Sequence, residues 1–240
     1  MADSRISYSD ALAYWASVPA TVDGVLGGFG HTSLPRTDAR GSLAFFNRVV
    51  AASSSSTPSS KRACDIGAGI GRVSRDVLVN VADTIDLVEP VPAFADRIPA
   101  ELAAVGHAGK LGRLFVIGMQ DFTPDPGAYW FMWCQWCLGQ LTDDHLVQFL
   151  RRCARGLQPG GFMFVKENNS TSGAGQNDEF DSTDSSVTRS DVSFRRIFAA
   201  AGFDLVASEL QLGLPQGLYP VRTYALAPTI NNHEDQESLS

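Results

Sequence analysis

The sequence predicts a doubly wound α/β fold with a mainly parallel sheet, and three observations predict it. From Lys61 onward, short apolar runs rich in β-branched and aromatic residues alternate with stretches of helical pattern, as expected of strands covered on both faces. A glycine-rich turn, GAGIG (67–71), falls directly between the first run and the first of these helices. The last two runs are joined by QLGLPQGLYP (211–220), too short for a helical crossover, which predicts an antiparallel strand at one edge.

The elements follow in order. Ser9 is suited to cap a short amphipathic helix through DALAYWASV, and VDGVLGGFGH (22–31) reads as a glycine-rich loop. Thr37 is suited to cap a second helix through DARGSLAFFNRVV. The segment AASSSSTPSS reads as a flexible connector. The expected strands are RACDI, TIDLVE, LFVIG, YWFMWCQ, FMFVKE, FDLVASEL and VRTYALA. Helices are expected from about Arg72, after Pro92, after Thr142 and from about Asp191. No internal repeat is present.

A chain of 240 residues with 44% apolar content can bury one sizeable core. No stretch approaches ~18 uncharged apolar residues, so no membrane span is expected. MADSRISYSDALAYW lacks the basic flank and apolar run of a secretory signal, and four cysteines form no regular framework, which together predict a cytoplasmic or nuclear protein. The net charge of -7 argues against nonspecific nucleic-acid binding and for a basic partner. NDEFDSTD (177–184) concentrates carboxylates. The tail NNHEDQESLS (231–240) is acidic, has no packable pattern and is expected to be disordered.

CDIGAGIGR (64–72) puts Gly67, Gly69 and Gly71 where backbone amides and a helix N-terminus can approach a ligand. A dinucleotide fingerprint would carry its third glycine at the position held by Arg72, which weighs against NAD. Asp65 before the loop, and Glu89 at the end of TIDLVE, are suited to a ribose. This set resembles the S-adenosylmethionine site of class I methyltransferases, whose Rossmann-like fold has a seven-stranded, mostly parallel sheet. The resemblance implies that Gly67 and Gly69 face the cofactor, Glu89 accepts from the ribose hydroxyls and Arg72 pairs with the methionine carboxylate. It puts Met119 and Gln120, in GMQDF, at the adenine.

In such sheets the ligand sits beyond the carboxyl ends of the strands, beside strand one. YWFMWCQ ends there, so Gln135 and Trp136 are expected beside the sulfonium, one as an orienting amide and the other as a flat wall. Trp133, mid-strand, is expected in the core. Cys134 and Cys137 form a C-x-x-C, but in an extended strand they would face opposite sides. With no second pair of suitable spacing they read as buried, inert thiols rather than a metal or redox site.

The remaining pieces, PATVDGVLGGFG, DIGAGIGR, MQDFTPDP, QWCLGQLTD, FLRRC, VKEN, DSTDSSVTR and LPQGLYPVRTYAL, together resemble the protein N-terminal methyltransferases over about Tyr14 to Leu226. That family transfers methyl groups from S-adenosylmethionine to the α-amine of proteins beginning Xaa-Pro-Lys or Xaa-Pro-Arg once the initiator methionine is gone. The chain is expected to divide into a helical cap with its glycine-rich loop over residues 1–52, a flexible connector at 53–60, a class I methyltransferase domain at 61–226 and a disordered acidic tail at 227–240. In the resemblance, Asp184 would orient the amine and accept its proton; Asn168 would bond the first substrate residues. Trp136 would pack on the proline ring, Asp181 would meet the basic third residue, and Leu26 and Tyr219 would close the peptide channel. Trp15 would lie over the cofactor. The implied partners are basic N-terminal tails, such as those of ribosomal or chromatin proteins, with no nucleic acid or membrane.

One departure stands out. Where the family usually shows G-H-L-T-D, this chain has Gly139, Gln140, Leu141, Thr142 and Asp143, and a glutamine cannot titrate near neutrality. Gln140 can hold the amine or a water at this catalytic position, but the exchange puts a two-base mechanism in doubt. His31 and His145 read as structural or surface residues rather than replacements. Two other functions fit these residues: a small-molecule amine methyltransferase, and a catalytically silent module that binds cofactor or peptide.

Overall fold

The computed structural model describes residues 1–53 and 58–229; the centre of the serine-rich connector and the acidic tail lie outside the described residues. The strands are β1 Arg62–Ile66, β2 Thr84–Val88, β3 Leu111–Phe115, β4 Tyr129–Gln135, β5 Leu157–Asn168, β6 Glu179–Asp181, β7 Ser186–Thr188, β8 Phe203–Leu210 and β9 Val221–Pro228. The helices are α1 Tyr8–Ser17, α2 Val22–Val25, α3 Leu34–Ala52, α4 Arg72–Asp76, α5 Pro92–Ala95, α6 Ile98–Ala104, α7 Asp143–Gly156, α8 Ser172–Gly175 and α9 Asp191–Ala200.

Seven strands form one sheet in the order β3-β2-β1-β4-β5-β9-β8. The first five pair in parallel. The antiparallel strand is β9, and it lies inside the sheet, inserted between β5 and the edge strand β8. Every residue of β4 is buried, because the sheet is covered on both faces. One face packs Phe45, Phe46 and Val49 of α3 with Ile98 and Leu102 of α6. The other packs Leu146, Phe149 and Leu150 of α7 with Phe194 and Phe198 of α9. Trp133 is in the core, as expected.

Several local expectations are corrected. Ser7, not Ser9, caps α1: its backbone is extended and its side chain accepts from the Asp10 N–H. α3 begins before Thr37, because Pro35 sits in its first turn, where proline's fixed φ suits a helix start. The glycine-rich segment is not all loop; Thr21 caps the single turn α2. β3 runs earlier than LFVIG, since Leu111 and Leu114 pair with Ile85 and Leu87, and Val116 leaves the sheet. The sheet extends past residue 226 into Pro228, so the tail starts later than expected.

Two details frame the site. Parallel order with helices on both faces brings the ends of β1, β2, β4 and β5 to one edge. A separate hairpin, β6–β7, carries the acidic segment to that edge, with Ser185 turning it at φ 57°.

Candidate active site

A cavity of ≈ 490 Å³ opens where β1, β2 and β4 end. All eight residues expected to hold the cofactor line it: Trp15, Gly67, Gly69, Arg72, Glu89, Met119, Gln120 and Gln135. Gly67 has φ 68°, and a Cβ there would come within 2.5 Å of Cys137 Cβ, so only glycine fits. Glu89 is fixed by two backbone donors, Gly69 N–H to Oε2 at 2.7 Å and Val91 N–H to Oε1 at 2.8 Å. Burial outweighs both and pushes its carboxyl up to about 7. Arg152 of α7 donates to the carbonyls of Met119, Gln120 and Phe122 and so holds the facing loop.

Asp65 does not share this role. It lies beneath the loop and accepts from the Ser74 N–H and hydroxyl, pinning α4 to β1. Its carboxyl is pushed up to about 6 by burial. Gln135 lines the cavity, but its amide is committed inward: Oε1 accepts from Trp133 Nε1, and Nε2 donates to both oxygens of Asp38. Arg72 also donates to Asp38, at 2.8 Å, and Lys166 Nζ lies 2.5 Å from Asp38 Oδ1. Burial alone would raise the Asp38 carboxyl, yet Arg72 and Lys166 hold it below the usual carboxylate range. Two buried cations thus share one buried anion. The excess positive charge sits at the wall where a ligand carboxylate would be neutralised.

At the end of β4 the backbone turns sharply, with Trp136 at φ 54°. A left-handed conformation is rare for a bulky residue and swings the chain back on itself. Cys137 therefore returns to the core cluster that holds Cys134, its thiol donating to the Ile66 carbonyl at 3.3 Å, which corrects the expectation that the two thiols face opposite sides. Both are free and buried, and burial keeps the Cys134 thiol well above its ordinary value. Among the described residues no group of His, Cys, Asp and Glu is arranged to hold a metal ion.

A second cavity of ≈ 250 Å³ adjoins the first; Trp15, Val25, Leu26, Trp136 and Gln140 line both. Asn168 and Asp184 line the second. Gln140 Nε2 donates to Asp184 Oδ2 at 3.2 Å, while Asp184 Oδ1 accepts from the Ser186 hydroxyl at 2.6 Å. Asp184 can only accept, which fixes the amide orientation and leaves Gln140 Oε1 buried with no partner. Trp136 Nε1 is likewise buried and unpartnered, with the Arg72 guanidinium 5.4 Å from the ring centre.

Asp181 and Tyr219 line neither cavity. Asp181 is exposed and accepts from the Thr183 N–H; the Tyr219 hydroxyl donates to Glu179 Oε2 at 3.1 Å. His31 is exposed, and the His145 ring meets the Tyr8 hydroxyl at 2.5 Å on α7. Three residues escaped the sequence reading. Asp38 ties α3 to the cofactor side, Glu167 lines the second cavity, and Arg189, fully buried, donates to the Leu138 and Leu141 carbonyls on either side of Gln140.

The first cavity fits S-adenosylmethionine. A backbone approach that any side chain would fill, a fixed carboxylate at the end of β2, excess buried positive charge and apolar walls at Val91, Phe94 and Ile117 match its amino-acid, ribose and adenine parts. The chain's relatives agree. The family model for the AdoMet dependent proline di-methyltransferases matches residues 3–227. Alpha N-terminal protein methyltransferase 1 of Schizosaccharomyces pombe is 42% identical over 226 residues, covering 94% of this chain and 98% of that protein. N-terminal Xaa-Pro-Lys N-methyltransferase 1 of Mus musculus is 41% identical over 225 residues, covering 93% and 96%. Among solved structures, a SAM-dependent methyltransferase of Leishmania major superposes with a TM-score of 0.80 at 37% identity, covering 91% of this chain and 82% of that one. A cofactor cavity built on the expected glycine loop, and relatedness along nearly the whole chain, lead to one conclusion: the chain belongs to the AdoMet-dependent proline di-methyltransferase family and is an S-adenosylmethionine-dependent N-terminal protein methyltransferase.

Proposed function

We propose that the chain methylates the α-amine of proteins beginning Xaa-Pro-Lys or Xaa-Pro-Arg, with the cofactor in the first cavity and the peptide N-terminus in the second. The observation that carries this reading is the meeting of the two cavities at Trp136 and Gln140, with Asp184 beside them. When bound, S-adenosylmethionine supplies an electrophilic methyl group to a neutral nitrogen. Gly67, Gly69, Arg72, Glu89, Met119, Gln120 and Trp15 hold it, and Gln135 acts by fixing Asp38 rather than by touching it.

An α-amine has a pKa of about 7.7 to 8.0, so near neutrality most of it is protonated and has no lone pair to offer. Asp184 draws the cation into the second cavity, orients it and accepts its proton; Gln140 braces Asp184 and offers the amine a further acceptor. Asn168, whose amide has no partner among the described residues, bonds the first peptide unit, and Trp136 packs on the proline ring. Leu26 walls the channel. Tyr219, held by Glu179, closes the channel, and Asp181, paired across the hairpin with the cavity-lining Ser186, attracts the basic third residue. The net charge of -7 suits basic tails, such as those of ribosomal or chromatin proteins in the cytoplasm or nucleus. No helix among the described residues is long and apolar enough to cross a membrane.

Rates on Ser-Pro-Lys, Ser-Ala-Lys and Ser-Pro-Glu peptides test this recognition. Loss of the proline ring should lower kcat/KM at least about tenfold, the cost of an unfilled buried apolar site. Exchange of Lys for Glu should lower it by about fivefold at moderate salt, and less at high salt, because Asp181 is exposed and screened. Equal rates on all three peptides would defeat the assignment.

A further inference from the structure

The second cavity contains a carboxylate to which no motif gave a role. Glu167, next to the end of β5, is 6% exposed and lines the cavity with Asn168, Trp136, Gln140 and Asp184. Its two oxygens differ. Oε1 accepts from the N–H groups of Cys137 and Leu138, at 2.8 and 2.9 Å, and so caps the turn that carries Gln140. Oε2 has no hydrogen-bond partner among the described residues, and it is not one of the unpartnered side-chain atoms sealed from solvent. Oε2 is thus the one acceptor oxygen that this cavity-lining side chain leaves free among the described residues.

A carboxylate oxygen without a donor, in the wall of a cavity that takes a cationic amine, is suited to receive a proton. We propose that Glu167 Oε2 is a second proton acceptor for the substrate's α-ammonium group, beside Asp184 in the same cavity, supplying in this chain the partner acceptor that Gln140 cannot be. The proposal rests on the function proposed above. In the step, one N–H bond breaks, its electron pair stays on nitrogen as the attacking lone pair, and the proton forms an O–H bond at Oε2. Glu167 gives the proton to water once the methylated product leaves.

The surroundings support this assignment. Burial is the largest influence and pushes the Glu167 carboxyl up to about 7; the Leu138 and Cys137 amides and the Arg189 guanidinium oppose it. An acceptor that titrates near the working pH is the most effective kind. Asp184 faces the same cavity from the hairpin, and the Cys134 and Cys137 thiols lie behind the turn. Arg222 is the cross-strand neighbour on β9, but its guanidinium is directed to Asp191. Lys166 is occupied by Asp38. Arg189 is therefore the cation that acts on Glu167, and its own N–H groups are bound to Asp143, Leu138 and Leu141.

Glu167→Gln tests the proposal, because it keeps an oxygen for the two amides and removes the ionisable group. Two readouts apply to the full-length protein with a Ser-Pro-Lys-Arg peptide: kcat against pH, and protons exchanged on peptide binding without cofactor, by calorimetry in buffers of different ionisation enthalpy. The unmodified protein should show a kcat step near pH 7 and a measurable proton exchange. Glu167→Gln should lose roughly 10²-fold in kcat, lose the step and change the proton count, with cofactor affinity retained and the melting temperature near neutrality not lowered. Should that variant not fold, Glu167→Asp, which still ionises, should keep the pH step at reduced kcat. Survival of the step in Glu167→Gln, or turnover within about threefold, would overturn the proposal and leave Glu167 as a brace for the turn. Those outcomes leave peptide methylation intact, whereas failure of the unmodified protein to methylate any Xaa-Pro-Lys peptide would remove the function itself and this proposal with it.

Discussion

Two single residues bear most directly on the chemistry, Gly67 and Asp184. Gly67→Ala places a Cβ against Cys137 and forces alanine to φ 68°, a conformation that costs about 1–2 kcal/mol before any clash. Cofactor affinity measured by calorimetry should weaken at least about tenfold; an unchanged affinity in a folded variant would remove the glycine loop from the account. Asp184→Asn keeps the shape and the Ser186 contact but loses the negative charge. Turnover should fall about 10²-fold with cofactor affinity retained, and undiminished turnover would require another group to hold the amine. At this scale the sequence was informative where function constrains local pattern: of the eight expected cofactor residues that share one cavity, all but Trp15, which α1 brings over it, lie at or just beyond strand ends. It was silent on Asp38, whose partners Gln135 and Lys166 lie 97 and 128 positions away, and on Glu167, whose neighbours are set by the turn at Trp136. Nothing local to either carboxylate signals such a partner.

Among the elements, α3 matters more than its amphipathic pattern suggests. It packs Phe45 and Phe46 against β4 and β5, and it also delivers Asp38 to Arg72, Lys166 and Gln135. Asp38→Ala would leave two buried cations without a counter-charge, which typically costs about 3–5 kcal/mol. For a chain of this size the melting temperature should fall by roughly 6–20 °C, and cofactor affinity should fall as well because Arg72 loses its anchor. A melting temperature within a degree or two of the unmodified protein would show that the cluster is not what fixes α3. Strand positions were legible because a run with both faces buried is apolar throughout, as YWFMWCQ is. Helix starts were less so: the choice between Ser7 and Ser9 depends on backbone conformation, and that of α3 on the tolerance of a first turn for Pro35. The thiol geometry is not legible in the spacing, because the extended backbone ends at Trp136, which turns left-handed without a glycine to mark it.

Across the whole molecule, the N-terminal segment joins the two cavities. Trp15 lines both, the Ser7 N–H donates to Ser185 on the hairpin at 2.8 Å, and Tyr8 meets His145 on α7. Such links between distant parts of the chain have no signature in composition or periodicity. The pattern of buried carboxylates has a consequence for stability. Asp65, Glu89 and Glu167 are held up to about 6, 7 and 7, mainly by burial, against ordinary values of 3.8, 4.5 and 4.5. The folded state therefore binds these protons more tightly than the unfolded chain, so their contribution is fully present below about pH 4 and is lost as pH rises through about 7. Asp38 and Asp86, held low, lose theirs only near or below their ordinary value of 3.8. The cofactor-free melting temperature should thus decline between about pH 5 and 8, and a rise across that window would contradict the placement of these carboxylates. The identity of the acceptor nitrogen is tested most directly by mass spectrometry. Incubated with the full chain and S-adenosylmethionine, a Ser-Pro-Lys-Arg peptide should gain methyl groups that fragmentation assigns to its α-amine, while the same peptide with an acetylated N-terminus should gain none; no mass gain on the free peptide, or equal gain on the acetylated one, would contradict the account.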